Sequence, residues 1–259
     1  MQQDLLFEVS DGVALITFNR AESRNALTFD MYQQLAARCA EASADDAIKV
    51  LIITGAGGRA FAAGTDIGQF RDFRGAEDGL AYEQRMESVL SEVESCSVPT
   101  IAAINGACTG GGAAIAACCD IRIADRALKF GFPIARTLGN CLSNASLQRL
   151  VSLLGAGRTR EIIFTARLIE ADEALAIGLV AALVDTPPEA LACARDLAEK
   201  IKSFAPLTLQ ATKEAMRRLR DQGQAAQDED LIALCYASED FREGLDAFLS
   251  KRKPHWRGR

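Results

Sequence analysis

Apolar positions along the chain follow two patterns. Short apolar runs stand at 50–54, 98–104 and 179–184, and runs of that length predict buried strands; Asp120 to Ala124 reads as another strand. A β-rich pair at 5–10 and 13–19, divided by Asp11-Gly12, predicts a hairpin. A further short strand is predicted at 128–130. Between these runs, apolar residues recur at helical spacing. A helix is predicted over 29–42, capped by Thr28, with Met31, Leu35, Ala36 and Cys39 on one face. Others are predicted at about 80–94, 113–119, 145–154, 157–165 and 172–177, the last closed by Gly178. After Pro187-Pro188 the pattern stays helical, over 189–204, 207–222, 224–236 and 241–250. Residues 59–70 and 133–144 read as loops, and the charged stretch 72–79 as a mobile one. The expected division is a sheet-and-helix part over 1–184 and a helical part over 185–259.

The strand at 98–104 ends at Asn105-Gly106, and Gly110-Gly111-Gly112 then opens a run of small residues. Glycine inside a helix costs about 1 kcal/mol against alanine. Three at a helix start imply a close approach to the backbone. Free N–H groups there, at the positive end of the helix dipole, suit a developing oxyanion or a phosphate. Tight packing of strand on helix is the other reading, and this segment alone leaves both open.

Composition narrows the classes. The chain has 259 residues, nearly half of them apolar, and a formal net charge of −6, which argues against nucleic acid as a partner. Eight scattered cysteines without a CxxC pair, and a single histidine, disfavour zinc and disulfide frameworks and point to a reducing cytoplasm. Met1-Gln2-Gln3-Asp4 opens no secretory signal. No apolar run approaches the ~20 residues that span a bilayer. The glycines also lack the GxxxxGKS/T and GxGxxG patterns of nucleotide sites, which leaves a nucleotide-phosphate domain as a weak reading.

Four ordered segments resemble the enoyl-CoA hydratase/isomerase (crotonase) family. They are Asn19-Arg20 through Arg24-Asn25-Ala26-Leu27, Ala60-Phe61-Ala62-Ala63-Gly64-Thr65-Asp66-Ile67, Pro99 through Gly112, and Cys119-Asp120-Ile121-Arg122-Ile123-Ala124. The stretches at 174–180 and 243–253 add to the likeness, which covers nearly the whole chain. The resemblance implies an α/β, crotonase-like (ClpP/crotonase) spiral of strand–strand–helix turns with a helical C-terminal region used in trimer contacts, the trimers commonly pairing into hexamers. It implies an acyl-CoA substrate, with coenzyme A as part of that substrate, no permanently bound cofactor, and no nucleic-acid or membrane partner. By resemblance, the amides of Thr65 and Gly111 form an oxyanion hole for the thioester carbonyl. Arg24, Ala26, Ala63, Asp66 and Ile67 match the coenzyme A path. Phe248 and Lys251 match C-terminal positions that reach coenzyme A, often across a subunit boundary.

The resemblance breaks at the acid/base positions. Where family hydratases carry two glutamates, this chain has Ala114 and Ile134, neither of which exchanges a proton. Residues 134–152 contain no Asp or Glu. Candidate replacements each have a plainer reading. Asp66 suits a loop-ordering role, and Asp120 a structural one. Arg136 would hold a substrate carboxylate, or order a loop. Asn140 and Ser143 would orient a water, or order the same loop. Cys141 lacks a histidine to activate it. Glu83 and Glu87 read as a solvated helix face, with reach into a pocket roof as the other reading. The family default is hydration or double-bond shift of an enoyl-CoA. Decarboxylation or hydrolysis through the same oxyanion, or acyl-CoA binding without turnover, are the alternatives.

Overall fold

The computed structural model describes residues 3–259, so Met1 and Gln2, the start of the stretch read for a signal, lie outside it. Strands β1 (Leu5–Ser10) and β2 (Val13–Phe18) pair antiparallel, with Ser10 opposite Val13. Asp11 and Gly12 both have positive φ, 49° and 75°, as a two-residue hairpin turn requires.

The main sheet continues in parallel through β3 (Val50–Gly55), β5 (Thr100–Ile104), β7 (Ile121–Asp125) and β10 (Ala182–Val184), in the order β1-β2-β3-β5-β7-β10. Every residue of β3 and β5 is buried, because both faces are covered. Ile52, Ile101, Ala103 and Ile123 face Ala194, Ala198 and Ile201 of α6 (Pro187–Ile201). Leu51, Ile53, Ala102 and Ile104 alternate to the other side and join a larger core. That core is shared with α1 (Phe29–Ala44), α2 (Ala76–Ser95) and α3 (Gly111–Cys118). The packing of the sheet therefore runs past residue 184 into α6.

A second sheet is built from β4 (Ala60–Ala62), β6 (Ala107–Thr109), β8 (Lys129–Gly131) and β9 (Ile169–Glu170), in that order. The chain winds as β3–β4–α2, then β5–β6–α3, then β7–β8–α4 (Asn144–Thr165). An opening turn runs from β2 through Leu27, which bridges Thr65 in parallel, to α1. This is the strand–strand–helix spiral that the resemblance implies.

Thr28 caps α1 by accepting from the Met31 amide at 3.2 Å, as expected. The helix expected near residue 80 starts at Ala76 instead, and the Asp78 carboxylate accepts from the Arg74 and Gly75 amides at its start. The predicted break near residue 155 survives as a kink within α4, where Gly155 has φ 77° and ψ 155°. Beyond α5 (Ala171–Ala176) and α6, the chain ends in α7 (Pro206–Gln222), α8 (Glu229–Tyr236) and α9 (Glu239–Leu249). The helix expected from 224 begins five residues later, after a short 3-10 turn at Gly223–Ala225. Among the described residues, no helix is long and apolar enough to cross a membrane.

Candidate active site

The second sheet carries two loops to one place. The chain leaving β4 passes through Gly64 (φ 110°), and the chain leaving β6 turns at Gly110 (φ 52°) into α3. The loops touch: a Cβ on Gly110 would sit 3.4 Å from the Gly64 Cα, and one on Gly112 would sit 2.8 Å from the Ala62 Cβ. Close packing therefore accounts for Gly112, whereas Gly110 is required by its positive φ. Gly111 is confined differently, since any side chain there would overlap the phenol oxygen of Tyr32.

Two main-chain amides border the pocket beside these loops. The Leu27 amide donates to the Gly64 carbonyl and the Asp66 amide to the Leu27 carbonyl, each at 2.8 Å. Amides alternate sides along an extended segment, so the Thr65 amide turns away from Leu27. Gly111 is the first residue of α3, and the first intrahelical donor there is the Ala114 amide, bonded to the Gly110 carbonyl at 2.9 Å. Neither the Thr65 nor the Gly111 amide has an acceptor among the described residues. A Cβ on Gly64 would lie 4.0 Å from the Gly111 nitrogen, which sets the two loops side by side.

The pocket over these amides has a volume of about 220 Å³. Apolar groups form much of its wall, among them Ile67, Met86, Leu90, Phe132 and Leu142. Three hydroxyls form a chain on one side. The Thr65 Oγ1 lies 2.9 Å from the Tyr32 phenol and 3.0 Å from the Tyr82 phenol. Burial pushes both phenols above the usual tyrosine value, so both keep their protons. Tyr82 packs among three rings, with centroids 4.9 Å from Phe70, 5.8 Å from Phe29 and 6.1 Å from Phe73.

Of the residues singled out in the sequence, Thr65, Gly111, Ala63, Ile67, Asn140, Ala114 and Ile134 line this pocket. Arg24 and Ala26 do not line it; the Arg24 carbonyl accepts from the amide of the lining residue Ala63 at 3.0 Å. Asp66 points elsewhere: its carboxylate accepts from Arg20 at 3.0 Å and from the Gly68 amide at 3.0 Å, ordering the 3-10 turn Ile67–Phe70. Those two contacts hold it below the usual carboxylate range. Asp120 accepts from Thr100 and pairs with Lys213, the structural role expected of it.

Arg136 and Ser143, read as pocket residues, do not line the pocket. Arg136 is exposed after the 3-10 turn Pro133–Ala135, and the Ser143 hydroxyl caps α4 by accepting from the Ser146 amide. Cys141 is exposed and outside the lining. Phe248 and Lys251 are exposed at the end of α9 and do not reach the pocket within one chain.

Sequence reasoning missed Tyr32 and Tyr82 and misjudged Glu83. The signal for α2 was present: Tyr82, Met86 and Leu90 recur at four-residue spacing and all line the pocket. Glu83 lines it as well, and is the single carboxylate among the described lining residues. Glu87, one turn on, is taken by Arg149 at 2.6 and 2.7 Å.

Comparison with known proteins places this geometry. The family profile of enoyl-CoA hydratase/isomerase matches residues 8–259. The short-chain-enoyl-CoA hydratase of Clostridium acetobutylicum is 36% identical over 253 residues, 96% of each chain. The crotonyl-CoA hydratase of Syntrophomonas wolfei is 34% identical over 258 residues, 98% of each chain. A crystal structure of an enoyl-CoA hydratase/carnithine racemase from Magnetospirillum magneticum superposes with a TM-score of 0.91 at 35% identity, covering 100% of this chain and 97% of that one. With matches of this extent and the strand–strand–helix spiral of the crotonase fold, the chain belongs to the enoyl-CoA hydratase/isomerase family.

Proposed function

We propose that the protein acts on acyl-CoA thioesters, stabilising an enolate at the thioester oxygen with the Thr65 and Gly111 amides. The observation that carries the reading is that these two amides, from adjoining loops, have no acceptor among the described residues and lie beside one largely apolar pocket. Charge that develops on a thioester oxygen is stabilised by fixed donors without reorganisation. Each such donor is worth roughly 10²–10³-fold in rate. The names of the relatives, hydratases of short-chain enoyl-CoA and crotonyl-CoA, support an enoyl-CoA substrate. Arg24, Ala26, Ala63 and Ile67 would border the pantetheine path, with Phe248 and Lys251 supplied by a neighbouring subunit of a trimer.

Ala114 and Ile134 stand where the resemblance puts the two hydratase glutamates, and both are pocket walls without a proton to give. The reading therefore commits to enolate chemistry on the thioester and not to hydration by a paired-glutamate mechanism.

The test compares Gly111→Ala and Gly111→Pro, both in a Tyr32→Phe background. Both variants add a Cβ, the background removes the oxygen that would meet it, and proline alone removes the N–H. Proline suits the first position of a helix, so α3 is expected to form in both. With a panel of enoyl-CoA, β,γ-enoyl-CoA and malonyl-type CoA substrates, the proline variant is expected to turn over about 100-fold more slowly than the alanine variant. Equal turnover would remove Gly111 from the mechanism. Tight acyl-CoA binding with no turnover of any substrate would make the protein a binder.

A further inference from the structure

Among the described residues the pocket is lined by one carboxylate, and it comes from a helix that carries neither of the positions at which the family resemblance expects an acid. Glu83 on α2 lines the same cavity as Thr65, Gly111, Ala114 and Ile134. It shares a helical stripe with Glu87, one turn on, yet the two are used differently. Glu87 is bound bidentate by Arg149, whose side chain is only 5% exposed. Glu83 forms no ion pair among the described residues.

Resting on the acyl-CoA reading, we infer that Glu83 is the carboxylate that moves the proton at the substrate α-carbon. Its surroundings fit that work. Burial raises its carboxyl above the usual value, the Ser143 amide opposes this, and the charge of Glu87 adds to the rise. The groups facing it from other elements are the Tyr32 phenol of α1 and the start of α4 at Ser143. Tyr82 stands beside it on α2, and Arg149 of α4 is engaged by Glu87. Among the described residues no cation pairs with it.

In the step assigned to it, a Glu83 oxygen takes the α-proton. The C–H bond breaks, an O–H bond forms on the carboxyl group, and the electron pair moves to the thioester oxygen beside the Thr65 and Gly111 amides. Return of that proton to the α-carbon restores the thioester. Return to the γ-carbon of a β,γ-enoyl chain instead shifts the double bond. Each path conserves atoms and electrons and needs no further reactant.

The test is deuterium exchange. The full-length protein is incubated with butyryl-CoA in D2O, label at the α-carbon is read by mass spectrometry, and butyryl-CoA binding is measured separately by calorimetry. Glu83→Gln is expected to bind butyryl-CoA as the native protein does and to lose label incorporation by about 100-fold or more. Glu83→Asp, which keeps a carboxylate on a shorter arm, is expected to fall between them. Native-like exchange by a folded Glu83→Gln variant would overturn the assignment. So would a native protein that binds butyryl-CoA and exchanges nothing, which would leave thioester binding intact. A native protein that binds no butyryl-CoA would overturn the acyl-CoA reading itself, and this inference with it.

Discussion

The phenol oxygen of Tyr32 fills the space that a side chain on Gly111 would need. A residue from α1 thus fixes the start of α3, and the glycine is required by a neighbour as much as by its own backbone. Overpacking of this kind costs typically 1–3 kcal/mol. Gly111→Ala is expected to lower the melting temperature by several degrees, at about 2–4 °C per kcal/mol for a chain of this size. Tyr32→Phe is expected to restore most of that loss, because it removes the overlapping atom. A thermal melt of the two single variants and the double variant reads the coupling directly. Simple additivity would mean that the phenol does not constrain the glycine.

The Thr65 hydroxyl joins two phenols, one from α1 and one from α2. Thr65→Ser keeps both contacts. Thr65→Val removes them and leaves the Tyr32 hydroxyl, in a side chain 1% exposed, without its partner. An unsatisfied buried hydroxyl costs roughly 1–3 kcal/mol. Chemical denaturation is therefore expected to rank native and Thr65→Ser together, with Thr65→Val below them. The Thr65 amide is backbone and survives both changes, so acyl-CoA turnover should fall less than in the Gly111→Pro comparison.

The long elements of this fold are plain in the sequence, and the short ones are not. β3 and β5 are unbroken apolar runs because α6 covers one face and the main core the other. Their burial is written in composition. β4, β6 and β9 span two or three residues each, too few for a period to appear, and their pairing is set by the turns of the spiral that precede them. The site divides in the same way. Gly110-Gly111-Gly112 announces itself, since glycine at a helix start needs a reason. Tyr32 gives no such sign, because its ring reads as one more apolar position beside Met31 and Leu35. Its hydroxyl acquires meaning only when Thr65, 33 residues away, is brought to 2.9 Å. Glu83 and Glu87 are indistinguishable by pattern. Only Arg149, more than sixty residues on, separates a carboxylate in an ion pair from one that has none among the described residues.

The pH dependence follows from the direction of the Glu83 shift. Its carboxyl is raised by burial above an ordinary value of 4.5, and the ionised form is the base. α-Proton exchange is therefore expected to rise with pH through an apparent pKa above that value and then level off. Folding stability carries the opposite sign. The folded protein retains a proton that the unfolded chain has released, so this group's contribution declines as pH rises from the unfolded value to the folded one, and is flat beyond. Glu83→Gln should remove both limbs. Exchange in the native protein that is flat from pH 4 to 8 would contradict the assignment.

Arg149 offers a way to alter Glu83 without touching it. The guanidinium bonds Glu87 at 2.6 and 2.7 Å and Glu94 at 3.0 Å, tying α4 to α2. Glu94 has a second partner in Arg220, so loss of Arg149 falls mainly on Glu87, whose side chain is 34% exposed. Arg149→Met removes the cation and keeps much of the volume. Breaking a buried pair from one side costs roughly 3–5 kcal/mol, and the partial exposure of Glu87 places the expected loss toward the lower end. The second consequence is electrostatic. The Glu87 charge already raises the Glu83 carboxyl, and without its counter-ion it should raise it further. The acid limb of the exchange profile is then expected to move to higher pH in Arg149→Met, while the plateau rate is retained at temperatures where the variant stays folded. A lower plateau with an unmoved limb would instead make Arg149 a purely structural clamp between the two helices.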